Sequence, residues 1–184
     1  MPRLMLVDDE INILNSLRRA LIAMPAGTFS DPLVIETFTS PSLALARAGE
    51  SVFDLVISDY RMPEMDGVAF LEKLRDVQPN VARMILSGYA DLKALIAAIN
   101  RAEIYRFIGK PWDDHDLALA INQALEHRAL VLENARLADL VRVQQGRLSR
   151  NELAVKRLEE RYPGITQVKR QPDGSIDLEW DEEL

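Results

Sequence analysis

Cysteine is absent from the 184 residues, which excludes disulfide bonds, thiolate metal sites and a cysteine nucleophile. Basic residues are also fewer than acidic ones, with 22 Lys and Arg against 29 Asp and Glu, which gives a net charge of −7. Such a chain lacks the basic face that supplies most nucleic-acid affinity, so nucleic acid is not expected as a partner. No apolar run approaches about 20 residues and no signal peptide is seen, so we expect a cytoplasmic protein without membrane spans.

Residues 1–127 alternate short apolar runs with segments of helical spacing. Repetition of strand and helix predicts an α/β fold, a doubly wound five-stranded parallel sheet with helices on both faces. Ser40-Pro41 has the composition of a helix start. The predicted strands are Leu4–Val7, Leu33–Phe38, Phe53–Ile57, Val81–Leu86 and Ile104–Ile108. Three predicted helices carry Leu14, Leu17 and Leu21, then Val68, Leu71 and Leu74, then Leu92, Leu95, Ile96 and Ile99.

The fifth predicted helix does not stop at the end of this sheet domain. No proline occurs between Asp114 and Arg161, and Gly146 is the one glycine there. A helix of that length spans roughly 70 Å and cannot lie on one small domain, so residues 128–161 are predicted to form a helical extension. Its apolar pattern favours an imperfect coiled coil that serves dimerisation; the alternative is two helices that break near Gly146 and fold back. The seam residues are Leu130, Leu137, Leu140, Val141 and Leu148.

Residues 162–184 carry a turn signal between two short segments with apolar faces. Pro172-Asp173-Gly174 is a strong turn sequence, flanked by residues 165–170 and 175–180. We predict a β-hairpin appendage here. An isolated hairpin is marginal in water, so it should pack on a helix or on a partner chain.

Polar side chains stand at the ends of four predicted strands. Parallel strands bring these ends to one edge of the sheet, where open α/β folds place their functional sites. Converging carboxylates need a cation, and hard oxygen donors suit Mg²⁺ or Mn²⁺. Lysine and serine can bind phosphoryl oxygens, so the edge is suited to hold a transferring phosphoryl group with a carboxylate as nucleophile. The residues concerned are Asp8, Asp9, Glu10, Asp59, Ser87 and Lys110.

Four motifs in order resemble the receiver domain of two-component response regulators, over about residues 1–127. They are Val7-Asp8-Asp9-Glu10, the stretch LVISDYRMPEMDG at 55–67, Ile85-Leu86-Ser87-Gly88 and FIGKPW at 107–112. Residues 105–112 are similar to receivers attached to cyclic-di-GMP phosphodiesterase and related outputs, although no such output domain is seen. The resemblance implies a flavodoxin-like receiver fold and a phosphorylation-controlled switch.

The resemblance assigns the chemistry to the acidic residues. Asp59 would accept the phosphoryl group from a sensor histidine kinase or phosphotransfer protein. Asp8 and Asp9 would form the acidic pocket. Mg²⁺ would bind Asp9, Asp59 and the backbone carbonyl of Arg61, with Asp8 acting through a water molecule.

The resemblance also implies how the signal leaves the site. Ser87 and Lys110 would bind phosphoryl oxygens, Ser87 and Phe107 would be the switch residues, and a cis peptide bond would precede Pro111. The surface formed by the fourth helix, fifth strand and fifth helix would then change, and with it the C-terminal extension. The chain would assist its own phosphorylation and dephosphorylation without a separate output enzyme, and would act on an unidentified downstream protein.

Other interpretations compete with this one. The acidic residues after the first strand could cap a helix, and Glu10 is the strongest candidate for that role. A haloacid-dehalogenase-like phosphatase would also use an aspartyl phosphate, but its Asp-x-Asp-x-Thr pattern does not match residues 8–12. A transcription regulator could use the arginines of the long helix, although a solvated face is the default interpretation. Those arginines are Arg128, Arg136, Arg142, Arg147 and Arg150, and the two histidines, His115 and His127, are expected at the solvent.

Overall fold

The apolar runs pair into one parallel sheet in the computed structural model, which describes residues 1–88, 102–162 and 165. The strands are β1 (Arg3–Val7), β2 (Val34–Phe38), β3 (Leu55–Asp59), β4 (Ala82–Gly88) and β5 (Arg106–Lys110). The helices are α1 (Ile11–Ala23), α2 (Pro41–Glu50), α3 (Gly67–Val77), α4 (Asp114–Gln144) and α5 (Arg150–Arg161). The fourth predicted helix, with Leu92 to Ile99, lies outside the described residues, so α4 corresponds to the fifth predicted helix.

The sheet has the strand order β2-β1-β3-β4-β5, and every neighbouring pair is parallel. This confirms the predicted doubly wound α/β fold. From β1 the chain moves to β2 on one side, and it then crosses back to β3 on the other side of β1. Such a reversal opens a crevice at the carboxyl ends of β1 and β3, which is where ligands bind in this architecture.

Helices cover both faces of the sheet because its strands point apolar side chains to both sides. In β1, Met5 and Val7 join the cluster formed with α2 and α3, whereas Leu4 and Leu6 join the cluster formed with α1 and α4. The Ser40 hydroxyl accepts a hydrogen bond from the Leu43 N–H at 3.4 Å, which confirms the predicted start of α2.

Three strands run further toward their carboxyl ends than predicted. The sequence placed the third strand at 53–57, but β3 ends at Asp59, which pairs in register with Leu86. β4 and β5 likewise extend to Gly88 and Lys110, which are paired with each other. Asp59, Ser87 and Lys110 therefore stand within the last residues of their strands and not in the loops that follow.

The long helix breaks at Gly146, which corrects the interpretation of one continuous helix through residue 161. α4 ends at Gln144, and Gly146 has a φ of +68°, a left-handed conformation that glycine adopts without steric cost. α5 then begins with a capping box in which Ser149 accepts from the Glu152 N–H.

After this break α5 turns back along α4. The Lys156 ammonium group pairs with the Asp139 carboxylate, and Leu153 on the same helix is 8% exposed. The alternative of a fold-back near Gly146 is therefore the observed arrangement. Apart from Ile165, the predicted β-hairpin of residues 165–180 lies outside the described residues. No described helix is long and apolar enough to cross a membrane.

Candidate functional site

Two buried carboxylates and one lysine meet at the edge where β1 and β3 end. Asp8 follows β1, Asp59 ends β3 and Lys110 ends β5, so residues far apart in sequence converge through the sheet. The Lys110 Nζ donates to Asp8 Oδ2 at 2.7 Å and also to Asp59 Oδ1. Asp8 is 1% exposed and Asp59 7%, so the ion pairs lie where water screens them little.

Backbone groups hold the remaining carboxylate oxygens. Asp8 Oδ1 accepts a hydrogen bond from the Glu10 N–H at 2.9 Å, and Asp59 Oδ2 accepts one from the Arg61 N–H at 2.6 Å. Each carboxylate is thus bonded by one oxygen to the loop that follows it and by the other to Lys110. This orients both groups toward a common point.

Burial and pairing shift the ionisation of two of these groups in a consistent direction. Burial raises the pKa of Asp8, and this outweighs the hydrogen bonds from Lys110 and the Glu10 N–H, which lower it. Burial alone would lower the pKa of Lys110, but its hydrogen bonds to Asp59 and Asp8 prevail and the pKa is raised. The lysine therefore stays charged, while negative charge on Asp8 is unfavourable unless further positive charge is supplied.

The structure places the other predicted acidic residues further out. Asp9 is exposed, and Glu10 stands at the N-cap of α1 without a side-chain capping bond. Within residues 1–88 and 102–162, no group of three or more metal-ligating side chains is arranged to hold an ion. Two converging carboxylates nevertheless fit Mg²⁺, which usually takes one or two carboxylates and fills its other positions with water, carbonyl or phosphate oxygens.

Ser87 and Pro111 lie at the same edge, and Phe107 lies on β5 three residues before Lys110. Ser87 is 2% exposed near the end of β4, and its hydroxyl donates to the Gly88 carbonyl at 3.3 Å. Phe107 in β5 is half-buried against the cluster beneath α2 and α3. The peptide bond between Lys110 and Pro111 is cis.

Gly67 is a site residue that the sequence analysis did not single out. It begins α3, and its N–H donates to the Tyr60 carbonyl at 2.8 Å. A Cβ at this position would lie 2.0 Å from the Asp59 carbonyl oxygen, so no other residue fits without moving the backbone that carries Asp59. A glycine directly after the capping residue Asp66, where helices rarely need one, was the available signal.

Known proteins resemble this chain in sequence and in fold. The profile of the response regulator receiver domain matches residues 4–122, which is well over half of the chain. The chain belongs to the response regulator receiver domain family. This assignment replaces the haloacid-dehalogenase-like alternative. Receiver domains are generally not catalytic, and they typically interact with histidine kinases.

Relatives and solved structures agree with the receiver assignment. The hydrogenase transcriptional regulatory protein HoxA of Cupriavidus necator is 33% identical over 126 residues, covering 68% of this chain but only 24% of HoxA. The signal receiver domain of an HD domain-containing protein from Pseudomonas fluorescens is 37% identical, covers 72% of this chain and 92% of that one, and has a TM-score of 0.65. An uncharacterised protein from Neptuniibacter caesariensis is 44% identical, covers 73% and 95%, and also has a TM-score of 0.65.

The middle of α4 is tied to the receiver domain at the opposite edge of its sheet. Arg128 donates to the Asp54 carboxylate at 2.6 Å and to the Asn80 carbonyl at 2.9 Å. The rings of Tyr105, which directly precedes β5, and His127 of α4 lie 5.0 Å apart. Sequence reasoning assigned Arg128 to a solvated face and missed these contacts, because Asp54 is 74 residues away in sequence.

Proposed function

We propose that this chain is a cytoplasmic response regulator whose receiver domain is phosphorylated on Asp59 by a histidine kinase or phosphotransfer protein. The observation that carries the proposal is the convergence of Asp8 and Asp59 on the Lys110 ammonium group at the switch point of the sheet. Asp59 is the carboxylate that lies centrally, between the strands carrying Asp8 and Lys110. It is therefore best placed to act as the nucleophile.

The transfer forms one bond and breaks one. An Asp59 carboxylate oxygen attacks the phosphorus atom of a phosphohistidine, the new O–P bond forms, and the P–N bond breaks with its electron pair returning to the imidazole. Lys110 keeps its proton and provides a cation for the phosphoryl oxygens. Ser87 directly precedes Gly88, the pairing partner of Lys110 in β4, and its hydroxyl would exchange the Gly88 carbonyl for a phosphoryl oxygen.

The donor set indicates how Mg²⁺ would be held. Asp59, Asp9 and the Arg61 backbone carbonyl would be its ligands, with Asp8 acting through a water molecule. When bound, the ion neutralises charge on the transferring phosphoryl group. The buried Asp8, whose pKa is raised, supports the need for a further cation beside Lys110.

The signal would leave through Ser87 and Phe107. Phosphorylation adds a charge of about −1.5 to −2, which recruits both Lys110 and Ser87 and changes the surroundings of β4 and β5. Phe107 lies on β5, which leads into α4 and from there to the extension. We propose a protein–protein output, with dimerisation through the face of α4 that exposes Leu130, Leu137 and Val141. HoxA is named a transcriptional regulator, but the chain matches only about a quarter of it.

Intact mass measured with Mg²⁺ and a small-molecule phosphodonor tests this proposal. We expect one added phosphoryl group on the wild type and none on Asp59→Asn. Asp31→Asn is the matched control, since Asp31 is exposed in the loop that precedes β2, away from the site. Peptide mapping should place the group on Asp59. A group on Asp8, or no phosphoryl group with Mg²⁺ present, would contradict the proposal.

A further inference from the structure

α5 exposes an apolar stripe on the side that faces away from α4. Val155, Leu158 and Tyr162 recur at helical spacing and are 50%, 48% and 54% exposed. Leu153, on the opposite side of the same helix, is buried. The contact with α4 therefore leaves the stripe without a partner among the described residues.

A basic row runs beside this stripe. Arg150, Arg157 and Arg161 are spaced seven and four residues apart, so they line one flank, and all three are exposed. Within the described part of the chain no ion pair involves these three guanidinium groups. On the other flank Glu152 is engaged in the capping box, and Glu159 also has a bonding partner.

We propose that the occupant of this surface is the acidic segment of the same chain at residues 175–184. That segment has five carboxylates and no Lys or Arg, and it alternates Ile176, Leu178 and Trp180 with Asp177, Glu179 and Asp181. An extended segment with that alternation presents apolar side chains to one side and carboxylates to the other. When the segment lies along α5, its apolar side chains cover the stripe and its carboxylates approach the basic row of Arg150, Arg157 and Arg161.

Length and charge both favour binding within one chain. The nine residues between Ile165 and Ser175 can span about 30 Å, whereas α5 is about 18 Å long, so the segment can return along the helix. Pro172-Asp173-Gly174 in that connection is a turn sequence, which permits the reversal. Residues 128–161 hold eight Lys and Arg against five Asp and Glu, so the hairpin of α4 and α5 is basic in an otherwise acidic protein.

This docking surface is distinct from the α4 face proposed for dimerisation, and the inference does not depend on phosphorylation. Val155 and Leu158 belong to α5 and Tyr162 is its C-cap, whereas Leu130 and Leu137 belong to α4. A second copy of the chain is the competing occupant, and the experiment below separates it from the segment.

Charge reversal on each side, and then on both, tests the proposal in the full chain. The helix variant is Arg157→Glu with Arg161→Glu, and the segment variant is Asp177→Lys with Glu179→Lys. Hydrogen exchange of amides 150–162 is measured at low ionic strength. We expect each variant to exchange about five-fold faster than wild type and to shift Trp180 emission to the red, and the combined variant to regain protection.

The combined variant is decisive, because reversing arginines near a helix end can weaken α5 by itself. Such a direct effect is not restored by changes at residues 177 and 179. Arg18→Glu with Arg19→Glu, on exposed positions of α1, is the matched control and should exchange like wild type. No restoration in the combined variant, or no effect of the segment variant, would overturn the proposal. Protection that rises with protein concentration together with a doubled mass would assign the surface to a second copy instead.

Discussion

The receiver domain and its extension bury apolar side chains in opposite ways. In the receiver domain, Phe53, Phe70 and Leu71 are fully buried between the sheet and its helices. From residue 128 onward, Leu153 is the one buried apolar side chain among the described residues, while Leu130 is 65% exposed. The same kinds of residue therefore form a core in one region and a surface in the other.

This difference distinguishes the receiver domain, which is stabilised by its own core, from the extension, whose arrangement a partner can change. The receiver domain has two apolar clusters, one on each face of the sheet, so its fold needs no further contact. The hairpin of α4 and α5 depends on the burial of Leu153 and on the ion pair between Lys156 of α5 and Asp139 of α4. A segment with few contacts can change its arrangement without unfolding the domain to which it is attached.

The largest expected effect is on the free energy of unfolding, when one leucine from each region is replaced by alanine. Leu71→Ala should lower the free energy of unfolding of the receiver domain by about 3 kcal/mol, because it leaves a cavity in a closed core. Leu153→Ala should lower it by less than about 1 kcal/mol, because α5 can separate from α4 while the sheet stays folded. Urea denaturation followed by circular dichroism measures both.

Leu137→Ala is the control for that pair, since Leu137 lies half-exposed on α4 and should have little effect. If Leu153→Ala proves as costly as Leu71→Ala, the hairpin is an integral part of the receiver core and the comparison fails.

A smaller effect is expected at Asp8, where a substitution should raise the free energy of unfolding instead of lowering it. The pKa of Asp8 is raised on folding, so its favourable contribution is complete below the unfolded value near 3.8 and is lost as pH rises through the folded value. At neutral pH, without a divalent cation, its buried charge is therefore unfavourable. Asp8→Asn should raise the free energy of unfolding by about 1 kcal/mol, and the gain should shrink as pH falls toward 4.

Thermal unfolding in a chelating buffer measures this effect. Asp9→Asn is the matched control, because the neighbouring Asp9 is exposed and pays no comparable desolvation cost. Added Mg²⁺ should stabilise the wild type and reduce the advantage of Asp8→Asn. A loss of stability in Asp8→Asn at neutral pH would show that the Lys110 pair outweighs burial.

The receiver fold was accessible from sequence because its signals are local and repeated. Alternation of apolar strands with helices predicted the sheet, and the ends of those strands pointed to Asp8, Asp59 and Lys110. The strand ends themselves were misplaced by two residues at β3, because Ser58 and Asp59 are polar yet still pair in the sheet. A strand predicted from hydrophobicity ends at the last apolar residue, whereas the hydrogen-bonded pairing of the strand can continue through polar residues.

The extension was less accessible because its decisive contacts are distant in sequence. A glycine inside a helix costs only about 1 kcal/mol, so Gly146 permits a break without requiring one. The fold-back is stabilised by Lys156 and Asp139, 17 residues apart, and no helical periodicity encodes that pairing. The role of Gly67 was not predicted for a similar reason: its backbone lies close to the Asp59 carbonyl, and only the three-dimensional structure reveals this.

The smallest expected effect concerns the ion pair between Lys156 and Asp139, which joins α5 to α4. Hydrogen bonding from Lys156 lowers the pKa of Asp139, assisted by Arg142 and opposed by burial. Its contribution is present above the unfolded value near 3.8 and is lost as pH falls through the lower folded value, so acid should open the hairpin. Asp139→Asn should open it at neutral pH while leaving receiver unfolding unchanged.

Because the chain has no cysteine, spin labels at Leu137→Cys and Val155→Cys can report the separation of the two helices directly. We expect a longer and broader distance distribution in Asp139→Asn than in the labelled wild type. Glu133→Gln is the control, since Glu133 pairs with Arg136 on its own helix and not with α5. An unchanged distribution in Asp139→Asn would mean that Leu153 packing alone holds α5, which would make the extension resemble the receiver core more closely than its exposed leucines indicate.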